Sequence, residues 1–291
     1  MTSNANNDTA ARQAGARAGI LVLGGTGKTG RRVVARLRQG GHEARAASRS
    51  GETRFDWADK GSWEPALKGA RAVYVVAPDD PAPVGEFVDL AVASGAERLL
   101  VLSGRGIDHA TPYGFGDGMA EAERAARASG VAWTVIQANN FNQNFSEDLW
   151  LAPLRAGRLA LPIGDEVPEP FVDVDDLAEA AARILAAPGD AHAGEVYEVT
   201  GPRDLTWREA TEVMARAAGR EIAFEELSPE AYRAQLLAEG WPEEAVRTLN
   251  ALFAVHRAGH TAGPADGVER VLGRPPVAFE SWAERNAAVW R

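Results

Sequence analysis

Short apolar runs alternate with helix-length amphipathic stretches through the first half of the chain. Ile20 to Leu23 is an apolar run stopped by Gly24, and Arg31 to Gln39 then sets Val33, Val34 and Leu37 on one helical stripe. Glu43 to Ala47 is a second strand, weaker because alanine is a poor strand former. Ala72 to Ala77 is a third, ended by Pro78, and the next helix runs from Glu86 to Ser94. Arg98 to Leu102 is a fourth strand, Ala120 to Ser129 an alanine-rich helix closed by Gly130, and Trp133 to Ile136 a fifth strand. Strand following helix in this order predicts an α/β fold: a doubly wound parallel sheet of the Rossmann type.

Beyond residue 140 the pattern changes. A Trp/Phe/Asn-rich segment precedes the isolated stretch PEPFVDVDD, a helix from Leu177 to Ala187 and a strand from Val196 to Thr200. From Trp207 onward amphipathic helices with proline breaks dominate. Tyr232 to His260 places Leu236, Leu237, Trp241, Val246, Leu249, Leu252 and Phe253 at helical spacing, which reads as lobe packing before it reads as a lid. The organisation expected is a disordered tail over 1–17, a Rossmann domain over 18–150 and a smaller, mainly helical substrate lobe over 151–291, with about 171–200 returning to the sheet.

Composition narrows the partners. The 291 residues are 45% hydrophobic, enough for a sizeable core, and 31 Lys and Arg against 41 Asp and Glu leave a net charge of −10. That field repels nucleic acid and anionic lipid. The chain has no cysteine, hence no disulfide framework, thiolate metal site or thiol nucleophile. The first residues lack the apolar centre of a secretion signal, and no run of about 18 apolar residues occurs. A cytoplasmic protein, monomeric or homodimeric and without membrane or nucleic-acid partners, is expected.

The chemistry begins at Gly24-Gly25-Thr26-Gly27-Lys28-Thr29-Gly30, a G-x-x-G-x-x-G pattern with a strand before it and a helix after it. Glycines there give a tight turn, close approach to a pyrophosphate and close packing of helix on strand, and the helix N-terminus offers free N–H groups to phosphate. A P-loop is excluded, because Lys28-Thr29 lack the four-residue spacer after a first glycine. At the end of the second strand, where an acid would hold the ribose hydroxyl of NAD, the chain has Ser48-Arg49-Ser50. An arginine with two hydroxyls suits a 2′-phosphate, and Arg31 could reach the same group, so NADP(H) is expected over NAD(H).

With these segments and FDWAD, VYVVAP, LLVLSG, GVAWTVIQANNFNQNF, PFVDVDDLAEAAARIL and GEVYEVTGPRDLTWREA, the chain resembles the NmrA-like branch of the atypical short-chain dehydrogenase/reductases over about residues 19 to 285. Within it, the likeness is to bacterial NAD(P)-binding oxidoreductases related to the agroclavine dehydrogenases. The resemblance implies that Asp56 and Trp57 lie beside the adenine, that Ala77 and Pro78 line the cofactor, that Ser103 stands where the superfamily keeps a catalytic serine, and that Asn139, Asn140 and Phe141 border nicotinamide and substrate. The chain departs from the superfamily at its Tyr-x-x-x-Lys pair. The equivalent helix reads Phe115-Gly116-Asp117-Gly118-Met119, and Tyr113 has no lysine four places on.

A quinone, iminium ion or enone already draws hydride and needs no strong general acid, which suits a site without that pair. Such a conjugated, largely apolar small molecule, of the kind met in secondary metabolism, is the expected substrate. Should a proton donor act, the loop SGRGIDHATPYGFGDG offers Ser103, Asp108, His109 and Tyr113, with Asn140 beside them. In the amide-rich run after the fifth strand, side-chain amides can orient a carboxamide or a substrate carbonyl, while Phe141, Phe145 and Trp150 supply an apolar wall. Asp173, Asp175 and Asp176 read as a helix start, with Asp175 or Asp176 as its cap, and His192, His256 and His260 lack ligand spacing, so no metal is expected. Two other functions stay open on the same fold: a nucleotide-binding regulator without turnover, and a non-redox cyclase or isomerase.

Overall fold

The computed structural model describes residues 19–291, so the expected tail over 1–17 lies outside the described residues. Seven parallel strands form the sheet: β1 (Gly19–Leu23), β2 (Ala44–Ser48), β3 (Thr53–Arg54), β4 (Ala70–Val76), β5 (Arg98–Gly104), β6 (Ala132–Ala138) and, from the lobe side of the chain, β9 (Glu195–Val199), in the order β3-β2-β1-β4-β5-β6-β9. Helices α1 (Gly30–Gln39), α2 (Trp63–Leu67), α3 (Val84–Ala93) and α4 (Asp117–Ala128) connect the first six strands. The strand order reverses between β1 and β4. Ligands of such sheets sit at the carboxyl ends of the strands beside that reversal.

Both sheet faces are covered, which is why β1 and the centres of β4 (Ala72 to Val76) and β5 (Leu99 to Leu102) run apolar instead of alternating. On one face Ile20, Val22, Tyr74 and Ile136 pack against Val33 and Leu37 of α1 and Leu177, Ala181 and Ile184 of α6 (Val174–Ala186). On the other, Leu21, Leu23, Val75 and Val101 meet Trp63 of α2, Phe87 of α3 and Ala122 of α4.

The lobe comprises α5 (Leu151–Arg155), the parallel pair β7 (Arg158–Leu161) and β11 (Ala223–Glu226), the antiparallel pair β8 (Pro168–Glu169) and β10 (Leu205–Thr206), and helices α7 (Trp207–Ala218), α8 (Pro229–Ala238), α9 (Glu243–Arg257) and α11 (Phe279–Asn286). Its core is aromatic: Phe145, Phe171, Trp207, Phe253, Phe279, Trp282 and Trp290. The short helix α10 (Gly267–Leu272) leaves the lobe and packs on α6 and β9.

Two helix starts differ from expectation for local reasons. α4 begins at Asp117, because Gly116 in the left-handed region (φ +80°) turns the chain into it. α6 begins at Val174 with Asp173 as cap, its carboxylate accepting from the Asp175 N–H at 3.0 Å. Asp175 and Asp176 are thus first-turn acids, placed where the helix dipole favours them. The three aspartates also face different partners: Arg285 for Asp173, Arg32 for Asp175 and Arg274 for Asp176. No helix among the described residues is long and apolar enough to cross a membrane.

Candidate active site

The glycine loop leaves β1 at the reversal point. Gly24 is left-handed (φ +61°), and a Cβ on Gly30 would stand 2.2 Å from the Gly24 carbonyl oxygen, so α1 rises directly off the turn. Gly25 is spent on the neighbouring strand, where a Cβ would come within 2.6 Å of the Ala46 Cα. Thr26 and Gly27 form the exposed apex, and no side chain caps α1, whose positive dipole end lies behind that apex while its Arg31 and Arg32 N–H groups bond back to the Gly27 and Thr29 carbonyls. A loop of this shape can hold phosphate oxygens.

Thr26 Oγ1 and Ser48 Oγ lie 3.0 Å apart, joining the apex to the end of β2. Arg49 and Ser50 follow, both exposed, and Arg49 makes no ion pair among the described residues. Arg31 is engaged elsewhere. It and Arg32 both pair with Glu147, while Lys28 pairs with Asp148 at 2.9 Å, so the loop's cations are latched to the segment after β6. Burial alone would push the Glu147 carboxyl up, but the guanidinium groups of Arg32 and Arg31 outweigh it and hold the group below the usual carboxylate range.

Asp56 and Trp57 sit beyond β3, held by backbone. The Asp56 carbonyl accepts from Trp63 Nε1 at 2.9 Å, and Trp57 Nε1 donates to the Val76 carbonyl at 3.1 Å. Ala77 and Pro78 continue β4, and Gly118 of α4 presses against them so closely that a Cβ would overlap the Pro78 oxygen at 1.7 Å. At the ends of β5 and β6, Ser103 and Asn139 are 3% and 4% exposed, yet Ser103 Oγ and Asn139 Oδ1 have no protein partner. Orphaned polar atoms are costly to bury. Two of them at adjacent strand ends fit the carboxamide end of a dinucleotide whose phosphates rest on the glycine loop.

The amide run forms a connected polar chain. Lys28 Nζ donates to Asn144 Oδ1, Asn144 Nδ2 donates to Asn140 Oδ1 at 3.2 Å, and Asn140 Nδ2 meets His256 Nε2 at 2.9 Å. His256 Nδ1 lies 2.9 Å from Glu169 Oε2 and 2.8 Å from Thr261 Oγ1, which itself donates to Glu169 Oε2 at 2.8 Å. Glu169 is wholly buried and His256 nearly so. In sequence, Glu169 and Thr261 carry no visible chemical signal, and His256 reads only as a histidine without ligand spacing. The available signal was position: His256 falls three residues after Phe253 on the apolar stripe of α9, and Glu169 stands between two prolines in an otherwise apolar strand.

Three expected site residues lie elsewhere. Phe145 is fully buried inside the lobe, its ring 4.9 Å from Trp150 and 5.3 Å from Phe171, so it belongs to the lobe core and forms no part of the site's wall. His109 and Tyr113 are exposed in two 3-10 turns, and His109 stacks on His260 at 4.5 Å. Met119, in the first turn of α4, packs towards Gly104 where a lysine would stand. Phe141 remains at the site, half-buried and 6.0 Å from Lys28 Nζ.

Trp150 lines a cavity of about 720 Å³ between α5, β7, α8 and α9, with Leu159, Leu161, Tyr232, Leu236 and Leu249. Asp148, the partner of Lys28, is among its lining residues. Burial pushes the Tyr232 hydroxyl up to about 12, despite an opposing hydrogen bond with Trp150, keeping it protonated against the cavity.

A model of the NmrA-like family matches residues 17–280. The chain belongs to that family. Among its relatives are the (4-alkanoyl-5-oxo-2,5-dihydrofuran-3-yl)methyl phosphate reductase of Streptomyces griseus, 31% identical over 93% of this chain and 99% of that one, and the NAD(P)H azoreductase of Xenophilus azovorans, 29% identical over the same shares. The agroclavine dehydrogenase of Claviceps fusiformis is 26% identical over 93% and 98%. Among solved structures, an Escherichia coli NADPH-dependent quinone oxidoreductase complexed with NADPH superposes with a TM-score of 0.75 at 19% identity, covering 91% of this chain and 99% of that one. Nmra, a negative transcriptional regulator in complex with NAD, gives 0.75 at 14%, covering 94% and 96%. At these identities the structural likeness shows the shared Rossmann-type fold.

Proposed function

We propose that the protein is an NADPH-dependent reductase of a conjugated, largely apolar small molecule of the quinone, iminium or enone type. The observation that carries this reading is the pair of buried, unpartnered polar atoms, Ser103 Oγ and Asn139 Oδ1, at the ends of β5 and β6 on the same sheet edge as the glycine loop. When bound, the reduced dinucleotide supplies a hydride from C4 of its nicotinamide. The chain's own work is positional. The glycine loop and the start of α1 hold the phosphates, Ser48, Arg49 and Ser50 receive the 2′-phosphate, and Ser103 with Asn139 meets the carboxamide. Trp150 and the leucines of the cavity hold an apolar acceptor out of water. An iminium ion requires nothing more, whereas a quinone or enone also takes up a proton, for which the protonated Tyr232 faces the cavity.

The relatives support this reading through the reductases among them, and the NADPH-bound quinone oxidoreductase supports the choice of cofactor. The test is the loss of NADPH absorbance with a panel of quinones, iminium ions and enones. Turnover with one class is expected. Tight NADPH binding with no turnover across the panel would overturn the reading in favour of a nucleotide-responsive regulator.

A further inference from the structure

The chain from Lys28 to Glu169 has a direction. Lysine can only donate and a carboxylate can only accept, so the two ends fix every group between them. With Lys28 donating to Asn144 Oδ1, Asn144 must offer Nδ2 to Asn140 Oδ1. Asn140 must then offer Nδ2 to His256, whose Nε2 accepts, which puts the imidazole proton on Nδ1, facing Glu169 and Thr261. In this order a proton on Nε2 has no acceptor, because Nε2 faces an N–H donor.

Lys28 also belongs to the phosphate cradle. It leads the chain from the one place where a dinucleotide's phosphates would compete for it, and its removal frees the first link. Both amides can then turn over, Asn140 Oδ1 can face His256, and Asn144 Nδ2 can face the site as a donor. Glu169 stays behind the ring as the acceptor that suits an imidazolium. Among the described residues Glu169 is the titratable side chain in hydrogen-bond contact with His256. The other neighbours are Trp207 of α7, Phe253 of its own helix, and Thr261, whose carbonyl is held by Arg105. Arg105 is in turn paired with Glu198, and Arg257 of α9 is turned to the Pro162 carbonyl.

We propose that His256 is a positioning residue for dinucleotide binding, and that capture of Lys28 by the dinucleotide's phosphates is coupled to uptake of a proton at His256 Nε2. The proton comes from bulk buffer, one N–H bond forms, and no other covalent bond changes. The inference rests on the dinucleotide reading above. Because the bound state holds the extra proton, affinity falls as pH rises.

The experiment is calorimetry of NADPH binding to the full chain near neutral pH, in two buffers of different ionisation enthalpy, for the wild type, His256→Gln and Lys28→Met. The wild type should take up more protons per bound NADPH than either variant, the contribution of the 2′-phosphate being common to all three. His256→Gln has no imidazole to protonate. In Lys28→Met the first link is already absent, so His256 is free to carry its proton before ligand arrives. Between pH 6 and pH 8 the wild-type affinity should fall roughly three- to tenfold more than that of His256→Gln, a partial proton linkage over that span. Equal uptake in all three overturns the inference and leaves the dinucleotide reading standing. Absence of binding in the wild type overturns the dinucleotide reading itself. Lys28→Met, changed at the open end of the chain, keeps the question decidable if His256→Gln fails to fold.

Discussion

The glycine loop and the buried polar chain meet at Lys28, yet one is contiguous and the other gathered. From Gly24 to Gly30 the backbone itself makes the site: a left-handed turn, and a helix seated where no Cβ fits. The chain from Asn144 to Glu169 draws on the segment after β6, on β8, on α9 and on the loop beyond it. Where local backbone geometry makes a site, the residue types that permit it stand next to one another in sequence. Where burial makes it, the partners are chosen by packing and are scattered.

The sharpest way to break this comparison is Gly30→Val. Its Cβ would collide with the Gly24 carbonyl, and overpacking of this kind costs about 1–3 kcal/mol, more where backbone must move. A large drop in the thermal midpoint together with loss of NADPH binding is expected; an unchanged midpoint would mean that α1 does not sit on the turn. Glu169→Ala probes the other half by leaving His256 Nδ1 and Thr261 Oγ1 without their buried acceptor. Denaturant unfolding should show a loss of about 2 kcal/mol, and a neutral result would remove Glu169 from the chain.

Arg49→Ala separates binding from stability. Losing a charge-assisted contact to the 2′-phosphate should weaken NADPH by about 1.5–3 kcal/mol, roughly 10- to 100-fold, with NADH little changed and the thermal midpoint intact. Equal weakening of both nucleotides would reject the 2′-phosphate assignment. The smallest effect belongs to the latch. Since the folded Glu147 carboxyl is held below its ordinary value of 4.5, its contribution is present above that value and is lost as pH falls through the lower folded one. The midpoint difference between wild type and Glu147→Gln should therefore be constant around neutrality, worth at most about 1 kcal/mol, and vanish in acid. A difference that changed between pH 6 and 8 would point to another group.

The same contrast explains what was legible in advance. Strands β1, β4 and β5 announce themselves because burial on both faces demands apolar runs through their centres, and β6 and β9 through the shorter apolar segments within them. The two-residue strand β3, Thr53–Arg54, carries too little pattern to be seen. The turn made by the loop's glycines is local, so its geometry is visible in the order of residues. Phe145 was misplaced because an aromatic ring signals burial without saying against what. His256 reads in sequence only as a histidine without ligand spacing, because its partners, Glu169 and Asn140, are distant along the chain. Ser103 and Asn139 were named through family likeness, and the physical reason for their interest, two buried polar atoms left unpartnered, needs coordinates.

Helix α10 lies against β9 and α6 so tightly that a Cβ on Gly267 would stand 2.1 Å from the Glu198 oxygen, and its Val268, Val271 and Leu272 belong to the core beneath the sheet. The chain thus stitches its two parts together twice, once through α6 and β9 and again through α10. The lobe is not a cassette. A chimera joined at one seam, or a chain ended before Gly267, would strip hydrophobic cover from the nucleotide-binding half, and any exchange of specificity between relatives would have to be grafted loop by loop into an intact weave.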